Sequence, residues 1–324
     1  MSTSITQLAA AFPDNERPHK NTSRVMVTLL GAAWDLGAPS FGSSTAADIF
    51  FKHSRCQGYP WKKVGKQQGF LRTAQTLKNT AVVPQIAPLC LQLARRVSDA
   101  LNQQRKFVVI GGDHSCAIGT WNGVAHALGQ KGSFGLIWID AHLDSHTPDT
   151  SASMRLHGMP LAVLLGYGDQ RLTRLLSTKP VIHPGTVCVV GARSYEAPEL
   201  ELLQRLGVRI FFISEIQKRG LNKVMAEAVD IASSGSGKFG ISIDLDVLNP
   251  EQAPGVNTPV VYGLNAKRLV QTLRPLSENP GLLGVEIAEF NPVLDRKNRT
   301  LKIIEALLFS LFPRLEEVTD AQPH

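Results

Sequence analysis

The sequence predicts one α/β domain built on a central, mostly parallel sheet covered on both faces. Three observations carry this reading. Short apolar runs lack the alternation of a one-sided sheet. Segments with helical spacing separate them. No compositional break, repeat or low-complexity tract divides the 324 residues. Strands buried on both faces read as continuous hydrophobic runs, and crossover helices supply the covering layers. Residues 24–324 are expected to form this domain. Residues 1–23 are polar, carry Pro13 and Pro18, and read as a flexible N-terminal arm.

Each element follows in order. Residues 25–30, VMVTLL, end at Gly31 and read as a buried strand. Residues 83–103 place apolar side chains at helical spacing. Residues 107–110 form a second strand, stopped by Gly111 and Gly112, and 134–139 a third, ending at Asp140. The pattern continues with a strand at 186–190, a helix at 198–206, a strand at 208–213 and a helix at 218–233. Strands at 240–245 and 282–288 flank a helix near 266–273, and a last helix covers 300–312.

Composition narrows the function. A hydrophobic fraction of 43% excludes a disordered chain. The net charge of +7 is scattered, with Lys62, Lys63 and Lys66 its densest point. Without a basic stripe or a known module, nucleic-acid binding has no support. The four cysteines, Cys56, Cys90, Cys116 and Cys188, form no C-x-x-C pair and read as reduced thiols. The N-terminus lacks the charged and apolar regions of a secretory signal, and no apolar run reaches the length of a membrane span. A cytoplasmic protein is expected.

In a parallel sheet of this kind, ligands bind beyond the carboxyl ends of the strands. The strand ending at Ile139 runs into Asp140-Ala-His142-Leu-Asp144. Extended chain alternates faces with period two, so Asp140, His142 and Asp144 point one way. Asp244-Leu-Asp246 repeats the device, and Gly111-Gly-Asp113-His114 brings a histidine over the sheet edge. Two imidazoles and four carboxylates converge. Burying those acids without cations is very costly, whereas two divalent ions neutralise them. An oxygen-rich set favours Mn²⁺, with Zn²⁺, Co²⁺, Ni²⁺ and Fe²⁺ open on ligand type alone.

Five ordered segments carry a resemblance. They are GGDHSCAIGT from Gly111, WIDAHLDSHTP from Trp138, LHGMPLA from Leu156, SIDLDVLNPEQAPGVNTP from Ser242 and VEIAEFNP from Val285. Together they resemble the arginase, or ureohydrolase, family over about residues 25–312. The resemblance implies a three-layer α/β/α fold and two Mn²⁺. One ion would be held by His114, Asp140, Asp144 and Asp244, the other by His142, Asp140, Asp244 and Asp246. It implies that Asp144 orients the attacking water, that Glu289 accepts the substrate guanidinium, and that His157 transfers a proton. Thr258 would line the site, and Asp113 and Ser115 would orient the ligands. His19, His53, His126, His183 and His324 lie in no motif.

The resemblance implies a small guanidino substrate, L-arginine first, cleaved to L-ornithine and urea. Departures from the family pattern leave another guanidino acid, such as guanidinobutyrate, or formimidoylglutamate, as the alternative. His146 replaces an Asn, and Ser153-Met154-Arg155 replaces S-G-N. Asn249 replaces an Asp and Asn257 a Gly. Ser151 and Ser153 keep hydroxyls, Glu196 and Glu199 offer acidic contacts, and Arg155 offers a fork for a carboxylate. A non-catalytic binding module would be marked by lost metal ligands, and none is lost. Family members suggest a homo-oligomer, a trimer or hexamer.

Overall fold

The structure is a computed structural model that describes residues 26–65, 79–129 and 132–315. The expected arm at 1–23, Val25, Lys66, His19 and His324 lie outside the described residues.

Eight strands form one sheet: β1 (Val27–Ala32), β2 (Trp61–Val64), β3 (Lys106–Ile110), β4 (Gly135–Ile139), β5 (Val187–Ala192), β6 (Arg209–Phe212), β7 (Phe239–Asp244) and β8 (Leu282–Ala288). Their order is β2-β1-β3-β8-β7-β4-β5-β6. Every neighbouring pair is parallel. The late strands β7 and β8 lie between β3 and β4. This order brings the carboxyl ends of β3, β8, β7 and β4 side by side, and these ends carry the GGDH, EF, DLD and DAHLD segments.

Period-two alternation divides the core into two layers. Val108, Ile110, Ile137 and Ile139 pack on one face with Ala46, Val224, Leu269 and Leu301 from the helices Ala46–His53, Leu221–Ser233, Ala266–Leu273 and Arg299–Leu311. Phe107, Val109, Leu136 and Trp138 pack on the other with Ile86 and Trp121 from the helices Asn79–Asn102 and Cys116–Leu128. The fold is three-layered, α/β/α, and all seven expected strands and five expected helices are present within a few residues.

Of the elements not expected, which include the short helices Pro160–Leu164, Gln170–Thr173 and Ile213–Arg219, three are informative. β2, WKKV, has two exposed lysines and only four residues, so it carries no apolar run. The helix Ala46–His53 follows a polar, glycine-containing stretch. The helix Cys116–Leu128 contains Gly119 and Gly123, which weaken a helical reading. Packing explains both glycines. A Cβ on Gly119 would lie 2.7 Å from the Cys90 carbonyl oxygen, and one on Gly123 would lie 2.5 Å from that of Ala94. The two helices touch backbone to backbone.

Trp121 anchors this layer. It is fully buried, with its ring centroid 6.0 Å from Phe107 and 6.1 Å from Phe134. Gly240 in β7 makes room for it, since a Cβ there would lie 2.1 Å from the indole. Replacing Trp121 with Ala leaves a large cavity under the sheet. Urea unfolding is expected to show a loss of about 3–5 kcal/mol, and a loss under about 1 kcal/mol would contradict this packing.

Candidate active site

The site is built at the ends of β3, β4, β7 and β8. After β3 the chain turns at Gly111 and Gly112. A Cβ on Gly112 would lie 1.8 Å from the Trp34 carbonyl oxygen, so only glycine permits this close approach. Asp113 then anchors the turn. Its Oδ2 accepts the Gly37 N–H at 2.7 Å and its Oδ1 accepts the Ser115 N–H at 3.0 Å. The Trp34 indole N–H donates to Ser115 Oγ at 3.1 Å. Burial, with Glu289 nearby, pushes the Asp113 carboxyl up to about 6.

His114 is fully buried and stacks on Trp138, with centroids 4.2 Å apart and 14° between planes. Its Nε2 lies 2.9 Å from Ser242 Oγ, and that hydroxyl donates to Glu286 Oε1 at 2.9 Å. Ser242 therefore accepts from Nε2–H. The other nitrogen, Nδ1, faces the carboxylates and is the one free to bind an ion once it has given up its proton. It lies 3.3 Å from Asp140 Oδ2, 3.0 Å from Asp144 Oδ2 and 3.1 Å from Asp244 Oδ2. Neither His114 Nδ1 nor Asp144 Oδ2 has a hydrogen-bond partner, although both are buried.

Two donor groups emerge. His114, Asp140, Asp144 and Asp244 form one, and Asp140, His142 and Asp246 the other, each with ligand atoms within 4.8 Å of one another. His142 Nδ1 lies 3.0 Å from Asp246 Oδ2 and 3.6 Å from Asp140 Oδ1. Asp140 is common to the two groups. Asp244 stands in the first, and its Oδ1 accepts the Asp246 N–H at 2.8 Å. Trp138 Nε1–H and the His142 N–H orient Asp140 at 2.9 and 2.7 Å. Thr258 Oγ1 donates to Asp246 Oδ2 at 2.9 Å.

The electrostatics match a cation site. Burial and the Asp140 charge push Asp144 up to about 7. Burial, Asp246 and Asp140 push Asp244 well above the usual carboxylate range. Burial alone would lower His114 and His142, but the surrounding carboxylates hold both imidazoles high. Mutually destabilised acids and an aimed, unpartnered imidazole nitrogen fit divalent ions, which need deprotonated ligands.

Glu289 is 1% exposed, and its backbone adopts φ 64°. Asp144 likewise has φ 48°. Both are non-glycine residues held in the sparsely populated left-handed region, and such strain concentrates at functional sites. Glu289 Oε1 accepts the His114 N–H at 2.8 Å and lies 3.3 Å from His157 Nδ1. Burial would raise Glu289, but His157 and the His114 amide hold it below the usual value. Burial would lower His157, but Glu289 holds it above the usual value.

The expected substrate loop is arranged less directly. His146 Nδ1 lies 3.2 Å from Thr150 Oγ1, and its Nε2 lies 3.4 Å from Glu199 Oε2 and 3.7 Å from Glu196 Oε2. Glu199 is occupied locally: it accepts the Glu196 N–H at 2.9 Å and the Ser145 N–H at 3.3 Å. Ser151 Oγ accepts the Met154 N–H and Ser153 Oγ the Arg155 N–H. Arg155 is half-buried, and its Nε is buried without a hydrogen-bond partner.

Sequence reasoning missed Ser242, Glu286 and Asn291, and named Asn257 only as a departure from the family pattern. Glu286 was detectable, since it is an acid inside the otherwise apolar strand 282–288. Ser242 lies two residues before Asp244 and so shares its face of β7. The asparagines carry no periodic signal.

The arginase-family model matches residues 25–313. The arginase of Brevibacillus brevis is 41% identical over 221 residues, covering 68% of this chain and 73% of that protein. The arginase of Bacillus caldovelox is 38% identical over 221 residues, with the same coverage. Its solved structure superposes with a TM-score of 0.80 at 32% identity, over 89% of this chain and 98% of that one. The Entamoeba histolytica arginase, solved with L-ornithine, superposes with a TM-score of 0.80 at 25% identity and the same coverage. Fold and site thus define an α/β/α hydrolase that acts on guanidino groups, with a buried cluster able to hold metal. The chain belongs to the arginase family. Among the described residues, no helix is long and apolar enough to cross a membrane.

Chelator-stripped protein is expected to take up divalent cations, with a rise in thermal midpoint. The ion must displace the proton that Asp144, at about 7, holds below that pH. Asp244 and both imidazoles, also held above their usual values, must give up protons as well, so affinity should fall steadily as the pH is lowered. Calorimetric titration at several pH values checks this, and pH-independent binding would contradict a site made of these protonated groups.

Proposed function

We propose that this chain hydrolyses L-arginine to L-ornithine and urea with a pair of bound divalent cations, manganese by preference. The observation that carries the reading is the unpartnered, buried Nδ1 of His114 among Asp140, Asp144 and Asp244, with His142 and Asp246 alongside. Its relatives named arginase, at 38–41% identity, support arginine as the substrate.

Bound cations supply the Lewis acidity that makes water a nucleophile near neutral pH. The residues do the rest. Asp144 accepts a hydrogen bond from the attacking water and aims it at the guanidino carbon. Glu289, buried and held in its charged form, receives the substrate guanidinium by charge-assisted hydrogen bonds. This fixes the planar group against the water and supplies orientation. Addition at carbon gives a tetrahedral centre, which collapses by breaking the bond to the substituted nitrogen. His157, held protonated by Glu289, gives its proton to that nitrogen as the amine leaves. Thr258 keeps Asp246 in place through its hydroxyl.

Recognition of the rest of the substrate falls to the loop at 146–155 and to Glu196 and Glu199. Arg155, with its unpartnered Nε, suits a carboxylate. That favours guanidino acids as a class and disfavours a guanidino amine without a carboxylate.

A panel of arginine, guanidinobutyrate, agmatine and formimidoylglutamate, incubated with manganese-loaded protein, tests the reading by urea or formamide release. Urea from arginine at the highest kcat/KM is expected, and no turnover of arginine would refute it. Glu289→Gln is expected to lower kcat/KM about a hundredfold or more, because it removes the buried charge that meets the guanidinium.

A further inference from the structure

We propose that Asn257 is a positioning residue that sets the orientation of the Glu289 carboxylate, and with it the affinity for the guanidino group. The inference rests on the reading of Glu289 as the guanidinium acceptor. Its grounds are geometric.

The Asn257 side chain has every hydrogen-bonding position filled. Its Nδ2 donates to Glu289 Oε2 at 3.1 Å and to Ser43 Oγ at 2.8 Å. Its Oδ1 accepts from Asn291 Nδ2 at 2.6 Å and from Ser40 Oγ at 2.7 Å. Two donors and two acceptors are thus satisfied, and only one orientation of the amide allows it. Turning the amide over would set Oδ1 against the carboxylate and leave Glu289 Oε2 without this donor.

The partners of Asn257 are themselves pinned. Asn291 is fully buried, and its Nδ2 also donates to the Phe41 carbonyl at 2.9 Å. Its Oδ1 accepts the Val293 N–H at 3.0 Å. Gly42 passes so close that a Cβ would lie 2.1 Å from Asn291 Oδ1. The Gly42 N–H donates to buried Asp35 Oδ2 at 2.8 Å. The segment 35–43, the residues after Val256 and the residues after β8 are therefore tied into one amide network, and Asn257 is its link to Glu289.

The division of labour on Glu289 is then clear. One carboxylate oxygen faces the His114 amide and His157, and the other is held by Asn257. Glu289 also enters this arrangement with φ 64°, so its side chain relies on such contacts to stay aimed. Thr258, the next residue, holds Asp246. Adjacent side chains on one short segment thus fix the guanidinium acceptor and a ligand of the cluster relative to each other.

The test compares wild type, Asn257→Ala and Asn257→Asp, each loaded with manganese and checked for equal metal content. In Asn257→Ala, KM for arginine is expected to rise about tenfold, the scale of one hydrogen bond to a charged group, with kcat within about twofold. Asn257→Asp keeps the size and the acceptor for Asn291 and Ser40 but puts a carboxylate oxygen against Glu289. Its KM should rise further. A purely structural role predicts the reverse order, with the isosteric variant near wild type, and that order would overturn the proposal. Crystal structures give a readout independent of turnover. Glu289 should swing away from Asn257 in both variants, and a carboxylate that stays in place in both would refute the inference even if wild type released no urea. Absent urea with a displaced Glu289 would instead count against the arginase reading alone.

Discussion

The structure depends on one electrostatic constraint: four carboxylates and two imidazoles share a buried space at the edge of a parallel sheet. Left to themselves the acids repel, which is why Asp144 and Asp244 are held so far above their ordinary range. Such an arrangement persists because rigid elements impose it. Trp138 holds Asp140, Ser242 and Glu286 hold His114, and the Asp246 amide holds Asp244. The sheet supplies the geometry, and bound cations would supply the missing charge.

That constraint organises the layers around it. His114 can face the cluster only because Gly112 lets the chain pass against Trp34 and because Asp113 is spent on the turn. The buried acid Glu286 fixes the tautomer of His114 through Ser242 at a distance from the reacting groups. Glu289 occupies the opposite wall with His157. Its lowered pKa and the raised one of His157 describe a charged pair poised beside the cluster. A cluster able to hold metal and a buried, charged carboxylate thus stand side by side.

Much of this was legible in the sequence. Unbroken apolar runs gave away the doubly covered strands, and D-x-H-x-D and D-x-D at strand ends marked the side chains of the cluster. The chain there is nonetheless not extended: it bends at Ala141 and His142, Asp144 has φ 48°, and Leu245–Val247 is a 3-10 helix. The less legible parts have physical reasons. β2 is an edge strand whose lysines face water, so it has no hydrophobic signature. The helix Cys116–Leu128 hides behind two glycines that exist for close packing. The role of Asn257 depends on contacts with residues 214 positions before it and 34 after it, which no local pattern encodes. Ser151, Ser153 and Glu199 were legible as polar but not as partners of their own loop and helix backbone.

The strand order has a consequence for how the chain is made. β3 and β4 leave the ribosome well before β7 and β8, yet the late pair fills the slot between them. Until about residue 288 has emerged, the middle of the sheet is a gap flanked by two apolar edges, a state that invites unwanted strand pairing. Synthesis interrupted before that point would therefore yield fragments prone to aggregate and lacking the corner of the site built by Asp244, Asp246 and Glu289.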